Sequence, residues 1–268
     1  MSRLAIIAGR GGLPAALVAA LPERPLVCAL DGFLPEGLVP DQVFRVERLA
    51  LFLRALEDQG VTRVTFAGAV QRPRLDPALF DPQTATMVPR LLAAMQAGDD
   101  ATLREVLAIF EESGFEVLGT AEIAPHLVPG AGVLAGQVTP ADERDAARAE
   151  AIVAALGAAD VGQGCVVAAG LCLAVEALPG TDAMLAAVAA LPAHLRPDPV
   201  RGRGLLYKAP KPGQDRRIDL PALGPATVEA AAKAGLGGIA WEAGGVICLD
   251  LAAMQAAAAR LGLFLWAR

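Results

Sequence analysis

The chain has 268 residues and a formal net charge of −6 at neutral pH, which argues against a nucleic-acid backbone as a general partner. Aromatic residues make up only 4% of the sequence while hydrophobic residues make up 54%, so small aliphatic side chains must build the core. That composition favours helices packed on a largely parallel sheet. The four cysteines form no C-x-x-C pair and lie in apolar runs, which indicates buried thiols in a reducing compartment.

In the first half of the chain, apolar strands alternate with helices. The opening apolar run ends at glycines and carries one basic residue, which is typical of a first strand and not of a signal peptide. Strands are expected at 4–8, 25–30, 63–67 and 115–118, and helices at 15–21, 49–59, 87–96 and 102–113. This alternation predicts an α/β fold with an N-terminal Rossmann-like domain.

The second half begins after a segment rich in proline and glycine, which is the best candidate for a domain boundary. We predict domains at 1–130 and 138–268, joined by a linker at 131–137, the second domain being of α/β (or α+β) type. Helices are expected at 140–156, from 180, at 226–234 and at 251–261, and strands at 165–168, 171–176 and 204–208. The turn 242–245 between two apolar runs predicts a hairpin. No apolar segment is long enough to span a bilayer, so a cytosolic protein is expected.

The turn Gly9-Arg10-Gly11-Gly12 joins the first predicted strand to the first helix. Such a turn points backbone N–H groups at an anion, and Asp31 ends the next strand, where a carboxylate can meet a ribose hydroxyl. The pattern is not a full G-x-G-x-x-G, so a tight turn without ligand remains an alternative. Gln71 and Arg72 follow a third strand, at the edge that lines the ligand crevice of open α/β sheets.

Two further acidic segments allow either a structural or a binding interpretation. Asp99 and Asp100 are placed to cap a helix, or to hold a divalent cation as a carboxylate pair. Thr181 and Asp182 open another helix, either as its cap or as a helix N-terminus that faces phosphate.

The strongest signal is the charged loop, residues 208–219, in which six of twelve residues are charged in a chain that is only 19% charged. Lysines neutralise phosphate as point charges, arginines bind two oxygens at once, and carboxylates hold either the arginines or Mg²⁺. Consecutive arginines cannot both face inward, and we expect Arg216 to do so beside Lys208. The loop predicts a site for phosphate or metal-bound phosphate, the alternative being an exposed charged hairpin.

The usual hydrolase motifs G-x-S-x-G and H-E-x-x-H do not occur, and the two histidines lie beside prolines with no partner pattern. This argues against serine and zinc hydrolases. Carboxylates and basic residues remain, which are the groups used in metal-assisted phosphoryl transfer.

Taken together, segments 6–14, 68–73, 98–100, 173–182 and 208–225 resemble, in their order along the chain, one family, the LpxI-type UDP-2,3-diacylglucosamine pyrophosphatases of lipid A synthesis. The resemblance implies a substrate held between an N-terminal Rossmann-like domain and a C-terminal domain of its own type. It implies hydrolysis to UMP and 2,3-diacylglucosamine 1-phosphate (lipid X), with water attacking the phosphorus on the sugar side. It also implies Mg²⁺ or Mn²⁺ and peripheral association with the cytoplasmic face of the inner membrane.

One position departs from the family pattern. The family has Gly-Pro-Asp-Thr after the charged loop, whereas this chain has Gly224-Pro225-Ala226-Thr227. A carboxylate in the first turn of that helix suits the helix dipole, and it is also a natural metal ligand or general base. Our hypothesis is that this chain is catalytically impaired and traps its substrate.

These considerations define the expected site. For catalysis we expect position 226 with Lys208 and Asp219, and for metal binding Asp99, Asp100 and Asp182. For substrate binding we expect Gly9, Gly11, Gly12, Asp31, Gln71, Arg72, Thr181, Lys211, Gln214, Arg216 and Thr227. A non-catalytic protein that binds a nucleotide sugar or lipid phosphate is the alternative, and an NAD-type oxidoreductase is a third. A homodimer is also expected.

Overall fold

The computed structural model describes residues 3–71, 73–198 and 202–268, apart from the side chain of Asp99. The chain divides into two compact units, Met1–Pro125 and His126–Arg268. The segment predicted as a linker, 131–137, contains the strand Gly132–Ala135, which pairs antiparallel with Phe264–Ala267. Backbone pairing therefore makes this segment part of the second unit's sheet.

The first unit is built on a parallel five-stranded sheet in the order β3-β2-β1-β4-β5. Its strands are β1 Arg3–Ala8, β2 Leu26–Leu30, β3 Gln42–Phe44, β4 Val61–Ala67 and β5 Glu116–Val117. Its helices are α1 Leu13–Ala20, α2 Leu49–Asp58, α3 Pro82–Ala97, α4 Asp99–Glu112 and α5 Thr120–Ile123. This strand order is that of a Rossmann-type half, which confirms the predicted fold class.

Local sequence explains why these elements form where they do. Every residue of β2 is buried, as expected for an apolar strand covered on both faces. Helix α3 begins at Pro82 because Asp81 caps it, accepting hydrogen bonds from the amides of Gln83 and Thr84 at 3.0 Å each.

The second unit has a mixed six-stranded sheet in the order β6-β13-β11-β9-β7-β8. Its strands are β6 Gly132–Ala135, β7 Gly164–Ala168, β8 Leu171–Val175, β9 Leu205–Lys208, β10 Ala222–Leu223, β11 Gly238–Trp241, β12 Ile247–Cys248 and β13 Phe264–Ala267. Its helices are α6 Pro140–Ala158, α7 Gly180–Ala189, α8 Pro225–Lys233 and α9 Leu251–Leu261. In the described residues, no helix has the length and apolar character needed to cross a membrane.

The predicted hairpin around 242–245 is wrong. Strand β11 has parallel neighbours on both sides, β9 and β13, so neither of its edges is open to β12. Strand β12 pairs instead with β10 in a separate two-stranded parallel sheet. A turn that looks like a hairpin in sequence is thus a crossover between two sheets.

The prediction that all four cysteines are buried is correct for three of them. Burial raises the pKa of the thiols of Cys28, Cys165 and Cys248 to about 12. Cys172 is exposed, because it lies on β8 at the edge of the six-stranded sheet. An apolar run in sequence does not distinguish a central strand from an edge strand.

Candidate functional site

In the first unit, the turn after β1 meets the turn after β4, where the strand order reverses and open α/β sheets bind ligands. The amide of Gly9 donates to Ala67 O at 2.7 Å, and Arg10 and Ala69 exchange two backbone hydrogen bonds of 2.9 Å each. A Cβ on Gly9 would lie 2.6 Å from Ala69 O. Gly9 therefore allows two backbone segments to approach closely, and its amide is used within the protein.

The remaining nucleotide-binding candidates of this unit surround the same turn. Gly11 adopts a φ of +90°, and Gly12 precedes α1 with open space around it. Asp31 is exposed and accepts a hydrogen bond from Arg45 at 2.9 Å. Gln71 is exposed, and Arg72 lies outside the described residues. These roles stay predictions.

Sequence reasoning assigned no contact to the side chain of Arg10, yet it joins this turn to the loop after β2. Its Nη2 donates to Gly32 O at 2.9 Å, and its guanidinium lies 5.2 Å from the centre of the Phe33 ring. A basic residue between glycines was the signal that could have suggested such a contact.

The two acidic candidates of the first unit lie at the start of α4. Gly98, with a φ of +130°, occupies the cap position, and Asp100 forms an ion pair with Arg104 one turn later. Among the residues described, no group of three or more histidine, cysteine, aspartate or glutamate side chains could hold a metal ion. The side chain of Asp99 lies outside the described residues, and the metal-binding roles of Asp99 and Asp100 stay predictions.

In the second unit, the sheet order places the start of β7 beside the ends of β8 and β9. Strand β7 runs antiparallel to both β9 and β8, so its first residue, Gly164, lies in register with Lys208. The carbonyl oxygen of Gly164 accepts a hydrogen bond of 2.8 Å from the amide of Glu176. Lys208 and Glu176 therefore flank a residue that has no side chain. A Cβ on Gly164 would lie only 2.6 Å from Glu176 Oε2.

Across Gly164, Lys208 and Glu176 form a partly buried polar cluster with Thr181, which we call the lysine cluster. Lys208 Nζ donates to Thr181 Oγ1 at 2.6 Å, and Thr181 Oγ1 donates to Glu176 Oε1 at 2.8 Å. Nζ lies 3.3 Å from both Glu176 oxygens, but Oε2 makes no hydrogen bond within the described residues. The Nζ–Oε2 contact is therefore ionic. The side chains of Lys208 and Glu176 are 6% and 13% exposed.

The other three cations of the charged loop form ion pairs with carboxylates, two of which come from other segments of the chain. Lys211 Nζ contacts Asp160 at 2.6 Å and Arg216 contacts Glu242 at 2.6 Å. Arg217 contacts Asp215 at 2.7 Å within the loop. Arg216, expected to face inward beside Lys208, has a side chain that is 56% exposed.

The remaining candidates support the loop and the helices around it. Gln214 accepts from the amide of Lys211 and from Gln163 Nε2 at 2.9 Å each, and its own amide donates to Asp219. Thr227 Oγ1 accepts the amide of Gly224 at 3.4 Å, so it caps α8.

The other two candidates are exposed in first turns of helices. Ala226 lies in the first turn of α8, and Asp182 lies in the first turn of α7. Either position is open to a ligand.

The most important residue that sequence reasoning left out is Glu176, followed by Asp160 and Glu242. Asp160 and Glu176 lie far before the charged loop in sequence, and Glu242 follows a later strand, β11. The available signal was Glu176 itself, a carboxylate at the end of an apolar strand, which is costly to bury unless it is paired.

The fold and the lysine cluster define an α/β protein with a Rossmann-type first unit. Its second unit holds a charged site whose lysines and arginines are paired with carboxylates. Two family models cover nearly the whole chain, the LpxI N-terminal domain over residues 3–127 and the LpxI C-terminal domain over residues 130–266. The chain is 42% identical to the UDP-2,3-diacylglucosamine pyrophosphatase LpxI of Caulobacter vibrioides over 98% of its length and 96% of that protein's. The chain belongs to the LpxI family.

Proposed function

We propose that this protein hydrolyses UDP-2,3-diacylglucosamine to UMP and 2,3-diacylglucosamine 1-phosphate in lipid A synthesis. The observation that carries the proposal is the 42% identity to a UDP-2,3-diacylglucosamine pyrophosphatase over 98% of the chain. The charged loop supports it, since lysine and arginine side chains beside carboxylates suit a diphosphate. In the reaction, water adds to the phosphorus on the sugar side and UMP leaves.

The charge balance of the site supports a metal-bound diphosphate over a bare one. The cations Lys208, Lys211, Arg216 and Arg217 each face a carboxylate, so a bare polyanion would have to compete with those partners. Mg²⁺ commonly binds through substrate phosphates with only one or two protein carboxylates.

The described residues supply no complete set of metal ligands. We therefore propose that Mg²⁺ or Mn²⁺ arrives with the substrate.

The alanine at position 226 bears directly on activity. It is exposed at the first turn of α8, where a carboxylate would be favoured by the helix dipole and open to solvent and ligand. We propose that this chain binds substrate but turns it over slowly. That observation also favours the alternative function, a protein that binds the nucleotide sugar or lipid phosphate without hydrolysing it.

Release of UMP from UDP-2,3-diacylglucosamine in detergent micelles, with Mg²⁺, with Mn²⁺ and with EDTA, tests the proposal. Ala226→Asp is expected to raise turnover by orders of magnitude, while the uncharged control Ala226→Asn stays at the starting rate. In ¹⁸O-water the label is expected in the sugar phosphate and not in UMP. No turnover by Ala226→Asp, despite tight substrate binding, would favour the binding function.

Two further expectations follow from the same proposal. The substrate is a lipid, so we propose that the protein associates peripherally with the cytoplasmic face of the inner membrane. Co-sedimentation with vesicles that contain UDP-2,3-diacylglucosamine, compared with vesicles that lack it, tests this association. A homodimer stays a prediction, which light scattering of the purified chain tests.

A further inference from the structure

The lysine cluster is more elaborate than a structural ion pair requires. Burying an ammonium and a carboxylate is costly, and apolar residues of similar volume often stabilise a fold at least as well. Here two glycines also make room for the acid. A Cβ on Gly164 would lie 2.6 Å from Glu176 Oε2, and a Cβ on Gly162 would lie 2.0 Å from the backbone oxygen of Glu176. The fold thus has glycine at two positions that touch Glu176, Gly164 against its carboxylate and Gly162 against its backbone.

The hydrogen-bond directions in the cluster leave one donor for a ligand. A lysine ammonium has three N–H donors, and a threonine hydroxyl has one. Thr181 gives its only proton to Glu176 Oε1 and accepts from Lys208, so its hydroxyl has no proton left for a phosphate. Lys208 uses one N–H for Thr181 and a second for Glu176 Oε1, and its third makes no hydrogen bond within the described residues, although Nζ keeps its ionic contact with Oε2.

We propose that Glu176 is a positioning residue: with Thr181 it holds the Lys208 ammonium so that the third N–H binds one oxygen of the substrate's diphosphate. This inference rests on the proposed function and assigns roles within it. Glu176 acts through Lys208 without contacting the substrate, and Thr181 belongs to the support of the lysine. Lys208 is the first residue of the charged loop, whose other cations also suit a phosphate.

A double-mutant cycle on binding tests this coupling. The dissociation constant of UDP-2,3-diacylglucosamine in micelles is measured for the unmodified chain, Glu176→Gln, Lys208→Met and the double variant. Glu176→Gln keeps the side-chain volume but removes the charge, and it is expected to weaken binding about 10- to 100-fold, the scale of one charge-assisted hydrogen bond. Glu150→Gln, which removes a carboxylate from an exposed ion pair with Arg268, is the matched control and is expected to leave binding unchanged.

The cycle distinguishes positioning from a general loss of structure. If Glu176 acts through Lys208, the double variant binds no more weakly than Lys208→Met alone. Thr181→Ser, which keeps the hydroxyl, is expected to bind like the unmodified chain, whereas Thr181→Val is not. Urea unfolding of each variant identifies any that fail to fold, and the serine and glutamine variants are the mildest of the set.

Three results would overturn the inference. They are an unchanged dissociation constant in folded Glu176→Gln, single effects that multiply in the double variant, and equal binding by Thr181→Ser and Thr181→Val. If the unmodified chain does not bind UDP-2,3-diacylglucosamine, the proposed function fails, and the same cycle with inorganic pyrophosphate tests the positioning role by itself. Failure to bind either probe overturns both.

Discussion

Gly164→Ala is the most direct test of the lysine cluster, because it adds one methyl group to the residue over which two charged side chains meet. The new Cβ would lie 2.6 Å from Glu176 Oε2, 3.3 Å from Tyr207 O and 3.5 Å from Lys208 Cγ. The two longer contacts need only small adjustments. The contact with Glu176 is too short to persist, so the carboxylate has to shift from its position beside Lys208.

The expected cost follows from what the carboxylate loses when it moves. Overpacking a buried site by one methyl group typically costs about 1–3 kcal/mol of unfolding free energy. Complete loss of the Lys208–Glu176 pair would raise the cost toward about 3–5 kcal/mol, the range for a buried charge left without its partner. Because Glu176 is 13% exposed and can rotate, we expect a value of about 2–3 kcal/mol.

The assay is urea unfolding followed by circular dichroism, with each transition fitted separately because the chain has two compact units. Gly130→Ala is the matched control, since a Cβ there meets nothing within 4 Å. In a Glu176→Ala background, the additional cost of Gly164→Ala should fall below about 1 kcal/mol. Equal costs of Gly164→Ala with and without Glu176 would refute the reasoning, and so would a cost no larger than that of Gly130→Ala.

Three other predictions follow from the two units. Burial tends to raise the pKa of Asp81, but hydrogen bonds from Thr84 and Gln83 lower it overall, so its stabilisation is present at neutral pH and lost below about pH 4. Asp81→Ala should cost about 1 kcal/mol at pH 7 and flatten the acid side of the stability curve, and an unchanged curve would contradict this. Gly9→Ala should destabilise the first unit by about 1–3 kcal/mol because its Cβ meets backbone, whereas Gly12→Ala in open space should not, as urea unfolding will show. In the native protein a thiol reagent should label one cysteine rapidly, Cys172, and early labelling of any other would count against the described burial; the protected thiols are Cys28, Cys165 and Cys248.

Local sequence predicted most of the elements because their signals are local. The apolar run of β2 needs only its own residues to be recognised as a buried strand, and Asp81 with Pro82 determines where α3 begins. The errors fall where pairing partners are distant. The sequence predicts a linker over 131–137, and the strand Gly132–Ala135 within it shows no distinctive pattern until β13 pairs with it.

The candidate site was predictable as a set of residue types, but not as a set of contacts. The charged loop was recognised from its composition, and its phosphate-binding role stays a prediction. The partners of its cations could not be read from the sequence, since Asp160 lies 51 residues from Lys211. At such separations, the packing of helices and strands determines which carboxylate meets which cation, and local sequence patterns do not encode that packing.

By itself, the sequence determined most of the helices and strands, the concentration of charge in residues 208–219 and the alanine at position 226. Only the tertiary structure decided that Lys208 meets Glu176, 32 residues away, with Thr181 between them. The physical reason is the order β9-β7-β8, which sets Gly164 between the two charged residues and leaves space for them to touch. The charges were visible in the sequence, and the sheet determined which of them form pairs.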